Sequence, residues 1–384
     1  MKKIFLISDS FTPDKTAAAK LMHDLAIELS KNHLIYVITV SAKNFFIKKK
    51  NINILGTKVP FIRSKNKLLK FIAELCMSFV IFYNFKKKFK LSLKPNLIIC
   101  YSPSIFFGFL IKKLYLLNIK VKKILILRDI FPDWLVAAKI LNKKNLIYFL
   151  LKLIQKRFFK IFNLIALQSL KDIKFIDKAF KKKCIEINNW TSAENSPLKK
   201  NNQKKKIIFG GNIGMAQEIQ FLIEIINFVK YSNKYTLTII GSGRSETYLK
   251  DILKNKNFKN IQVLKKISQK NYYKLLENYD IGIISLKKDI HFNNLPGKFL
   301  SYIKKNLAIL AFCSKKIDLF NLVNDNQLGI AINKYNQKII EKSLNKLSKE
   351  KIFFKENLRK RVKHLICKKF NVKKVSITLQ NYIR

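Results

Sequence analysis

The chain of 384 residues carries 77 lysines and arginines against 23 aspartates and glutamates, a formal net charge of +54, and 48% of it is hydrophobic. That length is too great for one simple core, so two domains are expected, with apolar residues enough to fill both. Five scattered cysteines form no Cys-x-x-Cys pair and the four histidines lie far apart, which suggests no metal cluster and points to a reducing compartment.

A charge this large suits nucleic acid or an anionic membrane surface. A simpler source competes with both. Lysine, asparagine, isoleucine and phenylalanine are abundant while glycine (10) and proline (7) are scarce, the skew that A/T-rich codons give. The lysines are also spread along the chain, whereas a nucleic-acid patch would be focused.

The apolar run Ile4 to Ile7 is too short for a signal peptide and reads as a buried strand. No uninterrupted apolar stretch has the length of a membrane span. The nearest, Phe71 to Phe85, is broken by Glu74 and Asn84, so a cytoplasmic protein is expected. A loop from Ser8 to Thr16 leads into a helix from about Ala17 to Ser30, with Thr16 as N-cap and Leu21, Leu25 and Leu29 on its apolar face. Leu34 to Val40 is the next strand, and strand, helix, strand implies a parallel sheet. Ligands of such sheets sit beyond the carboxyl ends of the strands, which places Asp14 and Thr16 at a candidate site.

Lys67 to Lys90 is a long helical segment crowded with phenylalanines and closed by Lys86, Lys87, Lys88 and Lys90. It suits either a core helix with a solvated basic end or an anionic bilayer surface. Leu97 to Cys100, Ile124 to Leu127 and Leu164 to Leu167 are further strands. The second runs into Arg128-Asp129-Ile130-Phe131-Pro132-Asp133-Trp134, a charged pair where a strand ends and chemistry collects. Ile185 to Ile187 closes this half. The polar, aperiodic stretch from Thr191 to Pro197 reads as a linker between domains at 1–190 and 204–370.

The alternation then restarts. Lys206 to Phe209 is a strand followed by Gly210-Gly211-Asn212-Ile213-Gly214, and a helix from Gln217 to Tyr231 carries Phe221, Leu222, Ile225 and Phe228 on one face. Thr236 to Ile240 ends in Gly241-Ser242-Gly243-Arg244-Ser245, and Ile261 to Leu264 and Ile281 to Ser285 continue the sheet. The most informative run follows: Asn293-Asn294-Leu295-Pro296-Gly297-Lys298-Phe299-Leu300-Ser301-Tyr302. Pro-Gly stops one element, and a lysine then stands with free N–H groups on the first turn of a helix, where anions bind. The three polar turns follow strands of one sheet and are expected to share a cleft. Leu307 to Phe312 is a buried strand, and amphipathic helices at about 356–370 and 372–383 close the chain. No Walker A lysine, nucleophile elbow, complete dinucleotide fingerprint or Asp-x-Asp pair occurs.

In order and spacing these pieces resemble the family 4 glycosyltransferases of the GT-B fold, in particular the bacterial branch that builds O-antigen and capsule polysaccharide. The resemblance spans nearly the whole chain. It rests on Ser8 to Leu21, Arg128 to Trp134, Gly211 to Gln217, Asp280 to Ile283 and, most strongly, Leu295 to Tyr302. It implies two Rossmann-like α/β domains facing a cleft. It also implies retaining transfer of a hexosyl or N-acetylhexosaminyl group from a nucleotide diphosphate sugar, expected to be a UDP-sugar. The acceptor is a hydroxyl of a polyprenyl-diphosphate-linked saccharide. No metal and no cofactor are implied, because protein groups neutralise the leaving diphosphate. The final helix, 371–384, would cross back onto the first domain.

Carried over residue by residue, the resemblance puts the donor at Asn212, Gly214, Gln217, Gly241, Gly243, Arg244, Asn293, Asn294, Gly297 and Lys298. It puts the acceptor at Asp14 and Thr16, with Asp129 and Arg128 where relatives often keep a catalytic histidine. This chain departs from the pattern. Asn212 and Gln217 replace the arginine and lysine common in relatives, and Asn293 and Ser301 replace two glutamates. The cationic work therefore falls on Lys298, with Arg244 assisting. The expectation is a cytoplasmic enzyme, peripheral on an anionic membrane and with no nucleic-acid partner. Its alternatives are a nucleotide-sugar hydrolase or epimerase of the same fold, and a non-enzymatic polyanion binder.

Overall fold

The computed structural model describes the chain except residues 15, 65, 90–91, 103, 138, 192–203, 215, 244–246, 248, 250–257, 266, 290–291, 294 and 384. Two units emerge, Met1–Ser192 together with Asn371–Arg384, and Ala193–Phe370.

The first unit contains β1 (Lys3–Ser8), α1 (Ala17–Leu29), β2 (Leu34–Ser41), β3 (Phe45–Lys49), β4 (Ile52–Lys58) and α2 (Lys67–Phe89). It continues with β5 (Leu97–Ser102), α3 (Gly108–Tyr115), β6 (Lys122–Leu127), α4 (Asp133–Ala137), α5 (Leu146–Ile161), β7 (Leu164–Leu167) and β8 (Cys184–Glu186). The eight strands lie in the order β3-β4-β2-β1-β5-β6-β7-β8, and only β3 runs antiparallel to its neighbour. Continuous apolar runs such as Ile4 to Ile7 and Ile98 to Cys100 are fully buried, as strands covered on both faces must be. Because β2 leaves β1 on one side and β5 joins it on the other, the chain reverses direction between β1 and β5, opening a crevice at their carboxyl ends.

Thr16 caps α1, its Oγ1 accepting from the Ala19 N–H at 3.0 Å. The buried face of α1 is Ala19, Met22, Leu25, Ala26 and Leu29; Leu21 lies at its margin, half-buried. The hairpin β3–β4 was not expected: it turns at Lys50 and Asn51, with Lys50 at φ +45°. Helix α2 is the expected long helical segment, but the expectation that no stretch reaches membrane-span length is corrected: over Leu68–Phe89 it is long and apolar enough to cross a membrane. It packs on the sheet through Ala73, Met77, Ile81 and Phe85, with the Phe85 ring edge-on to Phe5 at 5.6 Å. Glu74 and Asn84 interrupt its apolar run but are accommodated at its margin: Asn84 donates to Thr57 Oγ1 at 2.8 Å and Glu74 is half-buried.

The second unit comprises β9 (Lys205–Asn212), α6 (Ile219–Val229), β10 (Tyr235–Ser242), β11 (Ile261–Leu264), α7 (Gln269–Leu276), β12 (Ile281–Ser285), α8 (Gly297–Lys304), β13 (Ala308–Phe312), α9 (Asp318–Asp325), β14 (Gly329–Ile332), α10 (Gln337–Lys349) and α11 (Lys355–Lys369). Its six strands run β11-β10-β9-β12-β13-β14, all paired in parallel, and the direction reverses between β9 and β12. The last helix, α12 (Val372–Gln380), belongs to the first unit. Val372, Val375 and Leu379 share a core with Ile4, Leu6, Met22, Leu25 and Trp190. Asn371 bridges to Thr191, and His33 Nε2 lies 3.2 Å from Gln380 Oε1.

Candidate functional site

In the second unit the expected residues gather at the reversal between β9 and β12. At the end of β9, Gly210 and Gly211 pair in register with Ile240 and Gly241 of β10. The approach is close: a Cβ on Gly241, at φ +154°, would stand 1.8 Å from the Gly211 carbonyl oxygen. A Cβ on Gly243 would stand 2.3 Å from that of Ile213. Glycine is therefore required for backbone to meet backbone here. Tyr302 of α8 anchors the same strand end from beneath, its buried hydroxyl accepting from the Gly210 N–H at 3.0 Å. Gly282 of β12 leaves room for its ring, which a Cβ would meet at 2.4 Å.

Above Tyr302, on the first turn of α8, stands Lys298. Its Nζ lies 3.9 Å from the centre of the Phe209 ring and donates to Gln217 Oε1 at 3.0 Å. Burial pushes the ammonium down to about 7 from the usual lysine range. Gln217 is not helical; it sits in the turn before α6, its N–H donating to the Gly214 carbonyl at 3.0 Å. Ser285 and Lys287, at the end of β12, fix that turn through bonds to the carbonyls of Glu218 and Ala216 at 2.6 and 3.0 Å. Pro296 precedes α8 without supplying a side-chain cap, so the helix start offers its own N–H groups. Lys298, Gln217, Gly211, Asn212 and Gly214 thus come together.

Asn293 does something else: buried, it accepts from the Asp318 N–H at 2.7 Å and so starts α9. Ser301 hydrogen-bonds to the Gly297 carbonyl at 3.1 Å. Arg244 and Asn294, both expected here, lie outside the described residues.

In the first unit the Ser8–Thr16 loop is held by its own side chains. Ser10 and Thr16 hydroxyls lie 2.7 Å apart, and Asp14 takes both its oxygens to Arg63 at 2.9 Å. Arg128 is buried, its Nη1 donating to the Ile187 carbonyl at 2.9 Å and its guanidinium 5.3 Å from the centre of the Trp190 ring. It supports the wall of the crevice from within. Its neighbour Asp129 is half-buried.

The residue the sequence reading passed over is Asp9, directly after β1 at the reversal point. Burial pushes its carboxyl up to about 6, and the charges of Asp129 and Glu74 push the same way. Its Oδ1 is enclosed without a hydrogen-bond partner. Asp9 thus senses three other carboxylates, Asp129, Glu74 and Asp14, in a chain that has 77 basic residues and only 23 acidic ones, and that contrast was the available signal.

No family model and no curated protein matches the sequence. Solved structures match over its whole length. Sucrose-phosphate synthase from Thermosynechococcus elongatus superposes with a TM-score of 0.72 at 8% identity, covering 99% of this chain and 98% of its own. WaaG, a glycosyltransferase involved in lipopolysaccharide biosynthesis, gives 0.66 at 11% identity, with 99% of each chain covered. The catalytic domain of starch synthase IV from Arabidopsis thaliana, bound to ADP and acarbose, gives 0.67 at 11%, covering 100% of this chain and 98% of that one.

The fold is GT-B.

At these identities the likeness is one of fold, and the chemistry must come from the residues. In this GT-B chain the second unit offers an anion a helix start, glycine-lined backbone and one lysine short of acceptors. The first unit offers a hydroxyl group one carboxyl, Asp9, raised to about 6. Among the described residues no cluster of histidine, cysteine, aspartate and glutamate could hold a metal ion.

Proposed function

We propose that the protein is a glycosyltransferase that moves a sugar, with retention, from a nucleotide diphosphate sugar to an acceptor hydroxyl in cell-surface polysaccharide synthesis. The donor is a UDP-sugar of hexosyl or N-acetylhexosaminyl type, and the acceptor a saccharide on a polyprenyl diphosphate. The observation that carries this reading is Lys298 on the first turn of α8, at the reversal of a parallel sheet, with its ammonium against Phe209 and one amide oxygen. A diphosphate docked there meets the helix N–H groups and gives Lys298 an anionic partner that offsets the lost solvation of its ammonium. Lys298 then stabilises the negative charge that builds on the leaving diphosphate, without a metal. Gly211, Gly214, Gly241 and Gly243 let the backbone approach the donor. In the first unit, Asp9 and Asp129 hold the acceptor hydroxyl, while Arg128 positions Asp129 and the Trp190 wall. The enzyme works in the cytoplasm, peripheral on the membrane.

The test is calorimetry of UDP with the wild type and with Lys298→Ala. Losing one charged lysine–phosphate contact lowers affinity roughly 10- to 100-fold. If the wild type bound neither UDP nor any other nucleoside diphosphate, the reading would fail.

A further inference from the structure

In the first unit, apolar side chains that ought to be buried face outward on two neighbouring helices. On α2 the exposed ones include Leu68 (67% exposed), Phe71, Ile72 and Leu75. On α5 they include Leu146 (70% exposed), Ile147, Phe149 and Leu150. The second unit, with a core of the same kind, leaves only Tyr231 and Val263 exposed among its described large apolar residues. Such a concentration marks a surface that something covers.

Where these residues lie follows from topology. α2 links the parallel strands β4 and β5, and α5 links β6 and β7, so both helices run back along the sheet and start at its carboxyl edge. The exposed residues named here lie in their N-terminal halves. The apolar surface therefore stands at the same edge as the Ser8–Thr16 loop, Asp9 and Asp129. α3 joins the two helices into one layer: Phe109 stacks on Phe79 of α2 at 4.0 Å, and a Cβ on Gly108 would stand 3.4 Å from Ile161 of α5.

Charge decides between occupants. α3 and α5 contain no acidic residue and α2 only Glu74, half-buried and 4.0 Å from Lys70. Around the patch Lys70, Lys139, Lys143 and Lys144 are exposed. A second copy of this chain would bring like charges together at the rim, which is destabilising. An anionic bilayer neutralises the rim while its hydrocarbon takes the apolar turns, with the lysine stems lying along the boundary.

We infer that the N-terminal halves of α2 and α5 insert into the surface of an anionic bilayer and hold the acceptor edge of the first unit against it. The docking stands on these observations alone; that it serves a lipid-carried acceptor rests on the transferase reading. Insertion, unlike attraction by charge alone, survives high salt.

The test is co-sedimentation with vesicles of phosphatidylcholine, with and without phosphatidylglycerol, at about 0.1 M and about 1 M salt. Wild type is expected to pellet with the anionic vesicles and to stay largely bound at high salt. Ile147→Ser/Leu150→Ser and Phe71→Ser/Leu75→Ser should each lower partition about a hundredfold. These side chains are exposed, so circular dichroism should show both variants folded. The inference is overturned if wild type stays in the supernatant, if salt strips it completely, or if the variants partition like wild type. It is also overturned if sedimentation shows a dimer that the variants split. Vesicle binding lost with UDP binding intact removes this inference alone; the reverse removes the transferase reading alone.

Discussion

Lys298 has one amide oxygen and one aromatic face where a solvated ammonium would have three water partners, and burial holds it near pH 7. For a lysine whose folded value is depressed, the folded state has already released the proton between about 7 and 10.5, so a bound diphosphate must bring it back. UDP affinity should therefore fall as pH rises above 7, by up to about tenfold per pH step. Calorimetry in buffers of different ionisation enthalpy should show close to one proton taken up on binding at pH 8, and none in Lys298→Met. Asp9 has the opposite sign. Its carboxyl is raised from 3.8 to about 6, so the folded state holds the proton more tightly and stability falls as pH rises through that window. The shift is equivalent to at most about 3 kcal/mol above pH 6. Asp9→Asn should stabilise the protein by about 1 to 3 kcal/mol at pH 7. The gain should disappear near pH 4 in thermal melts, while sugar transfer drops. Lys298 was legible because Pro-Gly announces a helix start. Asp9 was not, since an aspartate in a Ser-Asp-Ser loop looks solvated until the neighbouring carboxylates are seen to converge.

At the scale of the element, the parallel strands were readable because burial on both faces demands unbroken apolar runs, as in β1 and β13. The β3–β4 hairpin escaped for the converse reason. It turns on Lys50-Asn51, without the Asn-Gly or Asp-Gly pair that signals a tight turn, and its edge strand ends in lysines that read as a solvated run. In α2 apolar residues occur on every side, so periodicity could not separate the face that meets the sheet from the face that does not. The glycine turns show the reverse case, where sequence suggested ligand binding and structure adds a packing requirement. Gly241→Ala should cost about 3 kcal/mol or more, because φ and the Gly211 carbonyl both exclude a Cβ. Chemical denaturation would measure it. Preserved stability would mean that β9 and β10 separate there without penalty.

For the molecule as a whole, the polar stretch after Trp190 and the restart of strand–helix alternation beyond it suggested two α/β domains, while the GT-B expectation came only with the family resemblance. The route of α12 was not in the pattern itself, because an amphipathic helix does not say which sheet it covers; only the family resemblance suggested it. Three of its apolar side chains close the core around Met22, Leu25 and Trp190, whose indole N–H donates to the Leu21 carbonyl at 2.8 Å. Ending the chain after Phe370 should remove about 5 kcal/mol of burial from the first unit. Calorimetry should then show one melting transition lowered and the other in place; two unchanged transitions would mean that α12 contributes nothing to stability.

The same closure orders events on the ribosome. The unit whose residues are translated first waits, with the part of its core around Met22, Leu25 and Trp190 unclosed, until the entire second unit has been translated. During that interval the nascent chain presents open apolar surface, and a chaperone that binds such surface should be found on stalled chains ending between 192 and 371 and not on the released protein.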